Sequence, residues 1–161
     1  MIRLILPALA FCIIAGCARQ ESKESIPLAP GTSRNLPQNP GTTAFWIDRI
    51  GPTTNPTGKE PISIDEISDF TTSGWAVDKQ NASVAGGVEI VIDSKPYQMP
   101  YGFDREDLIV PLKSAAYAHA GFRAAFPARA LGEGSHTISY RILTSDRKSY
   151  YFTPEFTLIV R

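Results

Sequence analysis

Short runs of aliphatic, β-branched and aromatic residues, separated by clusters of turn-forming residues, recur from Ala44 to the end of the chain. This spacing predicts short strands joined by turns. The only helical signal, at residues 104–112, is limited to one short turn by Pro111, with Asp104 as its predicted cap. We predict strands at residues 45–50, 62–64, 70–77, 88–93, 97–101, 120–126, 136–142, 150–152 and 156–160. The expected fold over residues 44–161 is therefore all-β, a two-sheet antiparallel sandwich.

The strand predicted at residues 70–77 contains the clearest candidate for a core aromatic residue. Ser73 and Gly74 predict a β-bulge that resets the alternation of inward and outward side chains. After this bulge, Trp75 alternates with Val77 on one face of the strand. The pattern favours Trp75 as a buried residue of the sandwich.

Residues 1–16 have the pattern of a bacterial export signal. Arg3 supplies a positive charge, and residues 4–15 are apolar apart from Pro7. This apolar run is shorter than the ~20 residues of a membrane span but is typical of a secretory signal peptide. It ends in Ile14-Ala15-Gly16-Cys17, which resembles the lipobox of bacterial lipoproteins. An ordinary signal peptide with a chance cysteine is the alternative.

The lipobox resemblance implies how the chain is held. In lipoproteins a peptidase cuts before the cysteine, whose thiol receives a diacylglycerol and whose new amino group is usually acylated. Here Cys17 becomes the lipidated first residue. Two or more acyl chains anchor a protein firmly, because each buried methylene contributes ~0.8 kcal/mol. An aspartate in the next position commonly signals inner-membrane retention, so Ala18 implies a Gram-negative outer-membrane lipoprotein that faces the periplasm.

Residues 17–43 are predicted to form a flexible tether after the lipidated cysteine. The segment is rich in Ser, Asn, Gln and Gly and carries four prolines, Pro27, Pro30, Pro37 and Pro40. Such a segment buries too little apolar surface to offset the entropy of ordering it, and its prolines keep it extended. We expect a spacer that holds the domain several nanometres from the membrane. A short binding motif for a partner is the alternative.

Composition excludes several classes of function. The two cysteines, Cys12 and Cys17, both lie in the N-terminal segment, so the folded part contains no disulfide, thiolate nucleophile or cysteine metal site. Basic and acidic residues are equal in number, 16 of each, which gives no positive excess for nucleic-acid binding. We therefore expect no nucleic-acid partner and no cofactor.

Catalytic signals in the sequence are weak. The chain has two histidines, His119 and His136, and both are predicted to lie in strands beside apolar residues, where a lone histidine is more often structural than catalytic. The sequence around Ser135 is not a Gly-x-Ser-x-Gly nucleophile elbow, although a triad of Ser135, His119 and Asp107 stays open. The acidic turn with Asp104, Glu106 and Asp107 favours a solvated turn over a calcium site. We predict no catalytic and no metal-binding residues.

Residues 101–107 are the best candidate for a ligand contact. One interpretation is structural: Gly102 permits a turn, Arg105 pairs with a nearby carboxylate, and Tyr101 packs on the sandwich. The other is functional, because exposed aromatic and charged residues suit sugar stacking or a protein contact. The four residues that would make this contact are Tyr101, Phe103, Arg105 and Asp107.

Five separate motifs together resemble an immunoglobulin-like sandwich module that occurs as an accessory domain in bacterial surface and envelope proteins. They are Gly74-Trp75-Ala76-Val77-Asp78, Val88-Glu89-Ile90-Val91-Ile92-Asp93, Tyr101-Gly102-x-x-Arg105-x-Asp107, Gly121-Phe122 and Gly134-x-His136-x-Ile138. The resemblance covers residues 68–161. It implies an immunoglobulin-like fold and no catalytic residues. The stretch from Asp104 to Asp107 is more acidic than the Arg-Pro-Asp turn of that module.

These features predict a lipid-anchored, non-catalytic binding or scaffolding domain of the bacterial cell envelope. Its partners would be the membrane, through the lipid on Cys17, and an envelope protein or glycan. The alternative is a small periplasmic hydrolase or metal-dependent enzyme that uses His119 or His136. A histidine in a concave pocket, within ~3 Å of a carboxylate or serine, would favour the enzyme.

Overall fold

The computed structural model describes residues 26–161. These residues form twelve strands, one short α-helix and four 3₁₀ turns. The strands are β1 (Phe45–Ile50), β2 (Thr53–Thr54), β3 (Ile62–Ile64), β4 (Asp69–Asp78), β5 (Ser83–Val84), β6 (Gly87–Ile92), β7 (Lys95–Met99), β8 (Tyr101–Phe103), β9 (Gly121–Pro127), β10 (Gly134–Leu143), β11 (Tyr150–Phe152) and β12 (Phe156–Val160). Helix α1 is Ile109–Leu112, and the 3₁₀ turns are Ser33–Asn35, Glu106–Leu108, Ala115–Tyr117 and Ala128–Ala130.

The strands divide into two sheets that pack face to face. The first sheet has the order β2-β1-β4-β9-β8, with β5 also paired to β4. The second sheet has the order β3-β12-β10-β6-β7, with β11 also paired to β10. Among the described residues, β3 and β12 pair in parallel, and the other paired strands are antiparallel. The predicted all-β sandwich is confirmed.

The main core lies between the inner faces of the two sheets. Its members are aliphatic and aromatic residues from both sheets, among them Phe70, Phe122, Ile90 and Tyr140. The hydroxyl of Tyr140 lies 2.5 Å from Thr72 Oγ1 on the opposite sheet, and both residues are fully buried. Burial raises the pKa of Tyr140 well above its ordinary value. The hydroxyl therefore stays protonated and links the sheets as a satisfied buried polar pair.

A second, smaller hydrophobic cluster lies on the outer side of the first sheet. It consists of Val77, Leu108, Tyr117 and Ala120, with Trp75 half-buried at its edge. Residues of the connection from β8 to β9, which contains α1, thus cover one end of this face. Trp75 and Val77 share a face as predicted, but that face points away from the main core.

The predicted bulge at Ser73 and Gly74 is wrong, and this explains where Trp75 lies. Strand β4 pairs with β9 in unbroken register, so its inward side chains continue through position 74 and Trp75 stays outward. The register shift lies on the neighbouring strand β1, where Asp48 is the extra residue between Ile47 and Arg49.

The structure also corrects two local predictions around Pro100 and Asp104. A single strand was expected at residues 97–101, but β7 belongs to the second sheet and β8 to the first, so the chain changes sheets at Pro100. The helical turn forms, but Asp104 does not cap it, because the residue before the 3₁₀ turn is Arg105 and makes no capping bond. The following helix α1 ends at Lys113, which adopts a left-handed conformation.

Residues 26–43, which we call the N-terminal strap, pack on the sandwich instead of extending away from it. They contact the second sheet as far as Asn39, and Thr43 bonds to Val77 of β4 in the first sheet. The amide of Gly31 donates to Pro96 O at 2.7 Å, and the amide of Gln98 donates to Ala29 O at 2.8 Å, so the strap pairs with the β7 edge. Further along, the amide of Asn39 donates to Tyr150 O of β11 at 2.8 Å. The predicted free tether is therefore wrong for these residues. The remaining part of that prediction, residues 17–25, lies outside the described residues.

A buried carboxylate explains why the strap is ordered. Glu89 of β6 is 1% exposed and points to the outer side of the second sheet. It accepts hydrogen bonds from the amides of Thr32 at 2.6 Å and Ser33 at 3.1 Å, and from the Ser33 hydroxyl. Arg141, opposite Glu89 on β10, donates to Ser33 Oγ at 3.0 Å. A buried charge is tolerated only when it is satisfied in this way, so Glu89 requires the strap.

A second buried carboxylate joins the two sheets at the end where β4 stops. Asp78 accepts from the Ser145 amide at 2.7 Å and from the Tyr151 hydroxyl at 3.1 Å, and Asn81 Nδ2 donates to it at 2.7 Å. Burial would raise the pKa of Asp78, but these hydrogen bonds hold it below its ordinary value. The same burial and the contact with Asp78 raise the pKa of Tyr151 to about 12.

The strap contact is tested by Ser33→Ala. The change removes a donor to buried Glu89 and an acceptor of Arg141, and a hydrogen bond to a buried charge is worth about 1.5–3 kcal/mol. We expect the free energy of unfolding to fall by roughly this amount in chemical denaturation. Ser135→Ala, at an exposed position of β10, is the matched control and should change stability little. Equal effects of the two substitutions would contradict the assigned role of Ser33.

The pH dependence of stability tests the Asp78 contacts. Because the pKa of Asp78 is lower in the folded than in the unfolded chain, its carboxylate stabilises the fold above the ordinary aspartate pKa of about 3.9. That contribution is lost as the pH falls through the lowered folded-state pKa. We expect Asp78→Asn to lower the melting temperature at pH 7 and to differ less from the parent protein below about pH 4. The exposed Asp69→Asn serves as control, and a difference that stays constant with pH would sink the assignment.

Candidate functional site

The outer side of the first sheet carries three aromatic residues in one row. We call this surface the outer face; it is formed by Trp46, Arg49, Trp75, Phe103, Arg105 and Arg123, with Asp48 and Asp107. Trp46 of β1 is directly opposite Trp75 of β4, Trp75 is opposite Gly121 of β9, and Gly121 is opposite Phe103 of β8. Opposed residues on neighbouring strands stand side by side, so the row crosses four strands.

Trp46 is the most exposed member of the row. Half of its surface is accessible, although its neighbour Ile47 is buried in the core. Its indole Nε1–H donates to Asn55 Oδ1 at 3.0 Å, and Asn55 has a positive φ of 49° beside the β1–β2 turn. The ring is therefore held in one orientation while about half of the residue stays accessible. Trp46 is not one of the four contact residues predicted from the sequence, although it falls within the strand predicted at residues 45–50.

The gap in the row at Gly121 is filled by the chain that follows Phe103. A Cβ at position 121 would lie 2.8 Å from the carbonyl oxygen of Phe103 and 3.1 Å from Cγ of Arg105. The absence of a side chain therefore allows β8 and the stem of Arg105 to lie directly against β9. Arg105 reaches over the outer face as a result.

The conformation of Gly102 places Tyr101 and Phe103 on opposite faces of the first sheet. Residues two apart on a strand normally share a face, but the pairing of β8 with β9 shifts by one residue between Tyr101 and Phe103. Gly102 occupies this bulge with φ of 101°, a conformation that other residues rarely adopt. Tyr101 consequently packs against the main core, and Phe103 lies on the outer face.

Tyr101, one of the four predicted contact residues, is a structural residue. Its hydroxyl donates to Ala76 O at 2.7 Å and accepts from the amide of Ala85 at 3.0 Å. Burial raises the pKa of Tyr101 to about 12. These contacts join β8 to β4 and to the segment before β6, so the hydroxyl is not available to a ligand.

Arg105 and Asp107, two further predicted contacts, form an ion-pair cluster with Asp48. Arg105 donates from Nε and Nη2 to the two oxygens of Asp107, both at 2.8 Å, and from Nη1 to Asp48 Oδ2 at 2.7 Å. The hydrogen bond to Asp107 and the charge of Asp48 raise the pKa of Arg105, and the hydrogen bond from Arg105 lowers the pKa of Asp107. The bulge residue of β1 and the turn after β8 are thus tied across the sheet.

The fourth predicted residue, Phe103, forms a cation–π pair. The guanidinium of Arg123 lies 4.2 Å from the centroid of the Phe103 ring. Arg123 and Arg49 are both exposed and have no carboxylate within salt-bridge distance among residues 26–161. The structure therefore groups Phe103, Arg105 and Asp107 on the outer face. It adds five residues that were not predicted as contacts: Trp46, Asp48, Arg49, Trp75 and Arg123.

His119 lies away from any strand. It follows the 3₁₀ turn Ala115–Tyr117, and its Nδ1 is 2.7 Å from Asp104 Oδ1, with both side chains largely exposed. Asp107 pairs with Arg105 instead, and Ser135 lies on β10 of the other sheet. The possible triad of Ser135, His119 and Asp107 is therefore not assembled.

His136 uses both of its ring nitrogens in structural contacts. Nδ1 lies 2.7 Å from Asp93 Oδ2, and Nε2 lies 2.9 Å from the carbonyl oxygen of Gly132. Burial would raise the pKa of Asp93, but hydrogen bonds from His136 and from the Thr137 amide keep it below its ordinary value. Both ring nitrogens of His136 are thus engaged by groups of the protein itself.

Within residues 26–161, no group of three or more His, Cys, Asp or Glu side chains is placed to bind a metal ion. No helix in the same residues has the length and hydrophobicity of a membrane span. Cys17, the predicted lipidation residue, lies outside the described residues.

Comparison with protein-family models, with curated proteins and with solved structures finds no match to this chain. The function is therefore inferred from the residues of the outer face and from the sequence.

Proposed function

We propose that this protein is a lipid-anchored, non-catalytic binding domain of the bacterial cell envelope, and that the outer face is its binding surface for a glycan or a protein. The observation that carries the proposal is the row of Trp46, Trp75 and Phe103 across adjacent strands of one sheet. An aromatic surface with charged residues beside it is typical of a recognition site.

Rigid placement of these residues supports recognition. Trp46 is fixed by Asn55, and Arg105 is fixed by two carboxylates. Side chains that are already ordered lose little entropy when a ligand binds. The strands beneath them are anchored by the main core, so the surface keeps its shape without a ligand.

The histidine geometry supports a non-catalytic role. His119 pairs with Asp104 on an open surface, where water is not excluded. His136 has both nitrogens engaged and faces Asp93 and Gly132. Each histidine has a carboxylate at 2.7 Å, the distance that would suit an enzyme, but His119 lies on an open surface and both ring nitrogens of His136 are engaged by Asp93 and Gly132.

Because the strap is packed on the sandwich, only a short segment separates the proposed lipidated residue from the domain. From Cys17 to Ile26, the first residue of the strap, a fully extended chain spans at most about 32 Å. If the protein is lipidated, its domain therefore lies within a shorter maximal distance of the membrane than it would with a free linker as far as residue 43. Ile26 packs against the main core, so the connection to the anchor is made directly at the sandwich.

Cys17→Ser tests the anchor. Without the thiol no diacylglycerol can be attached, so we expect the protein to leave the membrane fraction after centrifugation and a salt wash. Cys12→Ser is the matched control and should leave the protein in the membrane pellet, since residue 12 precedes the proposed cleavage site. A Cys17→Ser protein that still sediments with membranes would overturn the lipoprotein proposal.

A photo-crosslinking residue tests the binding surface. Ala125 is exposed on β9 and lies on the outer side of the first sheet, so p-benzoylphenylalanine at this position would contact a ligand without removing a proposed contact. We expect illumination of intact cells to give an adduct that Trp46→Ala reduces severalfold. The same crosslinker in place of exposed Phe152, on the second sheet, is the control. Equal adducts at positions 125 and 152, or none at 125, would contradict the assigned surface.

A further inference from the structure

The aromatic rings, hydrogen-bonding groups and charges of the outer face indicate which chemical class of ligand it would bind. From them we infer that the ligand is an uncharged, hydroxyl-rich glycan, an inference that rests on the proposed function and specifies it. Three properties of the outer face lead to this assignment: flat aromatic surface, fixed hydrogen-bond donors and acceptors side by side, and a near balance of charge.

The aromatic rings offer surface for the apolar faces of sugar rings. Trp46 and Trp75 are direct cross-strand neighbours, and Phe103 lies two strands further along the same row. Neighbouring strands are about 4.8 Å apart, so the four strands extend over about 14 Å. A single sugar ring would cover only part of this length. The row therefore suits an oligosaccharide chain that crosses the strands.

The cluster of Arg105, Asp48 and Asp107 supplies both partners that a hydroxyl group needs. Of the five N–H donors of a guanidinium, Arg105 uses three on the two carboxylates, which leaves two for a ligand. The carboxylate oxygens keep unused lone pairs, since each can accept more than one hydrogen bond. A hydroxyl both donates and accepts, so adjacent hydroxyls of a sugar match this pattern of alternating groups.

The charges of the outer face favour a neutral ligand. Its three arginines, Arg49, Arg105 and Arg123, are opposed by two carboxylates, Asp48 and Asp107, so the formal charges of the outer face nearly cancel. A polyanion would meet the two carboxylates, and a cationic peptide would meet Arg49 and Arg123. Placing like charges together is costly, so both are disfavoured relative to an uncharged chain.

Tryptophan fluorescence can report the binding of a ligand to the outer face. The chain contains two tryptophans, Trp46 and Trp75, and both belong to the outer face. Intrinsic fluorescence of the purified, lipidated protein in detergent micelles therefore reports on this surface. The probes are two neutral tetrasaccharides, of β-1,4-linked glucose and of β-1,4-linked N-acetylglucosamine, and one acidic tetrasaccharide of galacturonic acid.

We expect a saturable fluorescence change with at least one neutral tetrasaccharide and none with the acidic one at the same concentration. Trp46→Ala should weaken binding at least about tenfold, measured by calorimetry and by the fluorescence of Trp75. Trp46→Phe keeps a ring at this position and should retain part of the affinity. Phe152→Ala, which removes an exposed aromatic residue from the second sheet, should leave binding unchanged.

Three results would overturn the inference, and they separate it from the proposed function. Binding of the acidic tetrasaccharide alone would show that the ligand is charged, while the outer face would stand as the binding surface. No response to any saccharide, together with a Trp46-dependent protein adduct at position 125, would replace the glycan by a protein partner. No saccharide response and no adduct at position 125 would remove both the inference and the proposed surface.

Discussion

The buried carboxylate of Glu89 constrains the whole arrangement of this protein. A charge on the outer side of β6 with 1% exposure cannot remain without partners, and the amides of Thr32 and Ser33 supply them. The segment before β1 must therefore lie across the second sheet.

The strap makes the two outer sides of the sandwich different. On the second sheet, residues 26–43 occupy the β7 edge and reach as far as Tyr150 of β11. On the first sheet, the connection from β8 to β9 covers one end, around Val77, and leaves Trp46 half exposed. A sandwich buries its inner faces by definition, so the binding that we propose would use an outer face or the loops. In this chain the part of the first sheet that the connection leaves exposed also carries Trp46 of the aromatic row.

The segment from Tyr101 to Asp107 combines residues of the framework with residues of the proposed binding surface. Tyr101 and Gly102 belong to the framework, because one is bonded to the backbone of β4 and the other forms the bulge. Phe103, Arg105 and Asp107 are held on the outer side by that framework. The structural interpretation therefore applies to Tyr101 and Gly102, and the proposed ligand contact applies to Phe103, Arg105 and Asp107. Asp48 completes the cluster from a strand more than 50 positions earlier in the chain.

Alternation of apolar residues was sufficient to predict most strands and the sandwich, because period-two burial is a local property of the sequence. The strand predicted at residues 45–50 has the bounds of β1, and that predicted at 156–160 has the bounds of β12. The bulge was misplaced, since its position depends on the pairing of β1 with β4 and not on the Ser73-Gly74 dipeptide. Trp75 was consequently predicted to face the wrong side. The lipid anchor and the immunoglobulin-like resemblance stay predictions.

The sequence by itself determined the strand pattern and the residues of the 101–107 turn that carry charge and aromatic surface. Only the tertiary structure decided that the strap is ordered, because its composition resembles a linker and its stability comes from Glu89, which lies 56 positions away from Ser33. It also decided that Trp46, Asp48, Arg105 and Arg123 share one surface. Their proximity follows from strand order and register, and these are set by burial between the two sheets and not by any neighbouring residue in the chain.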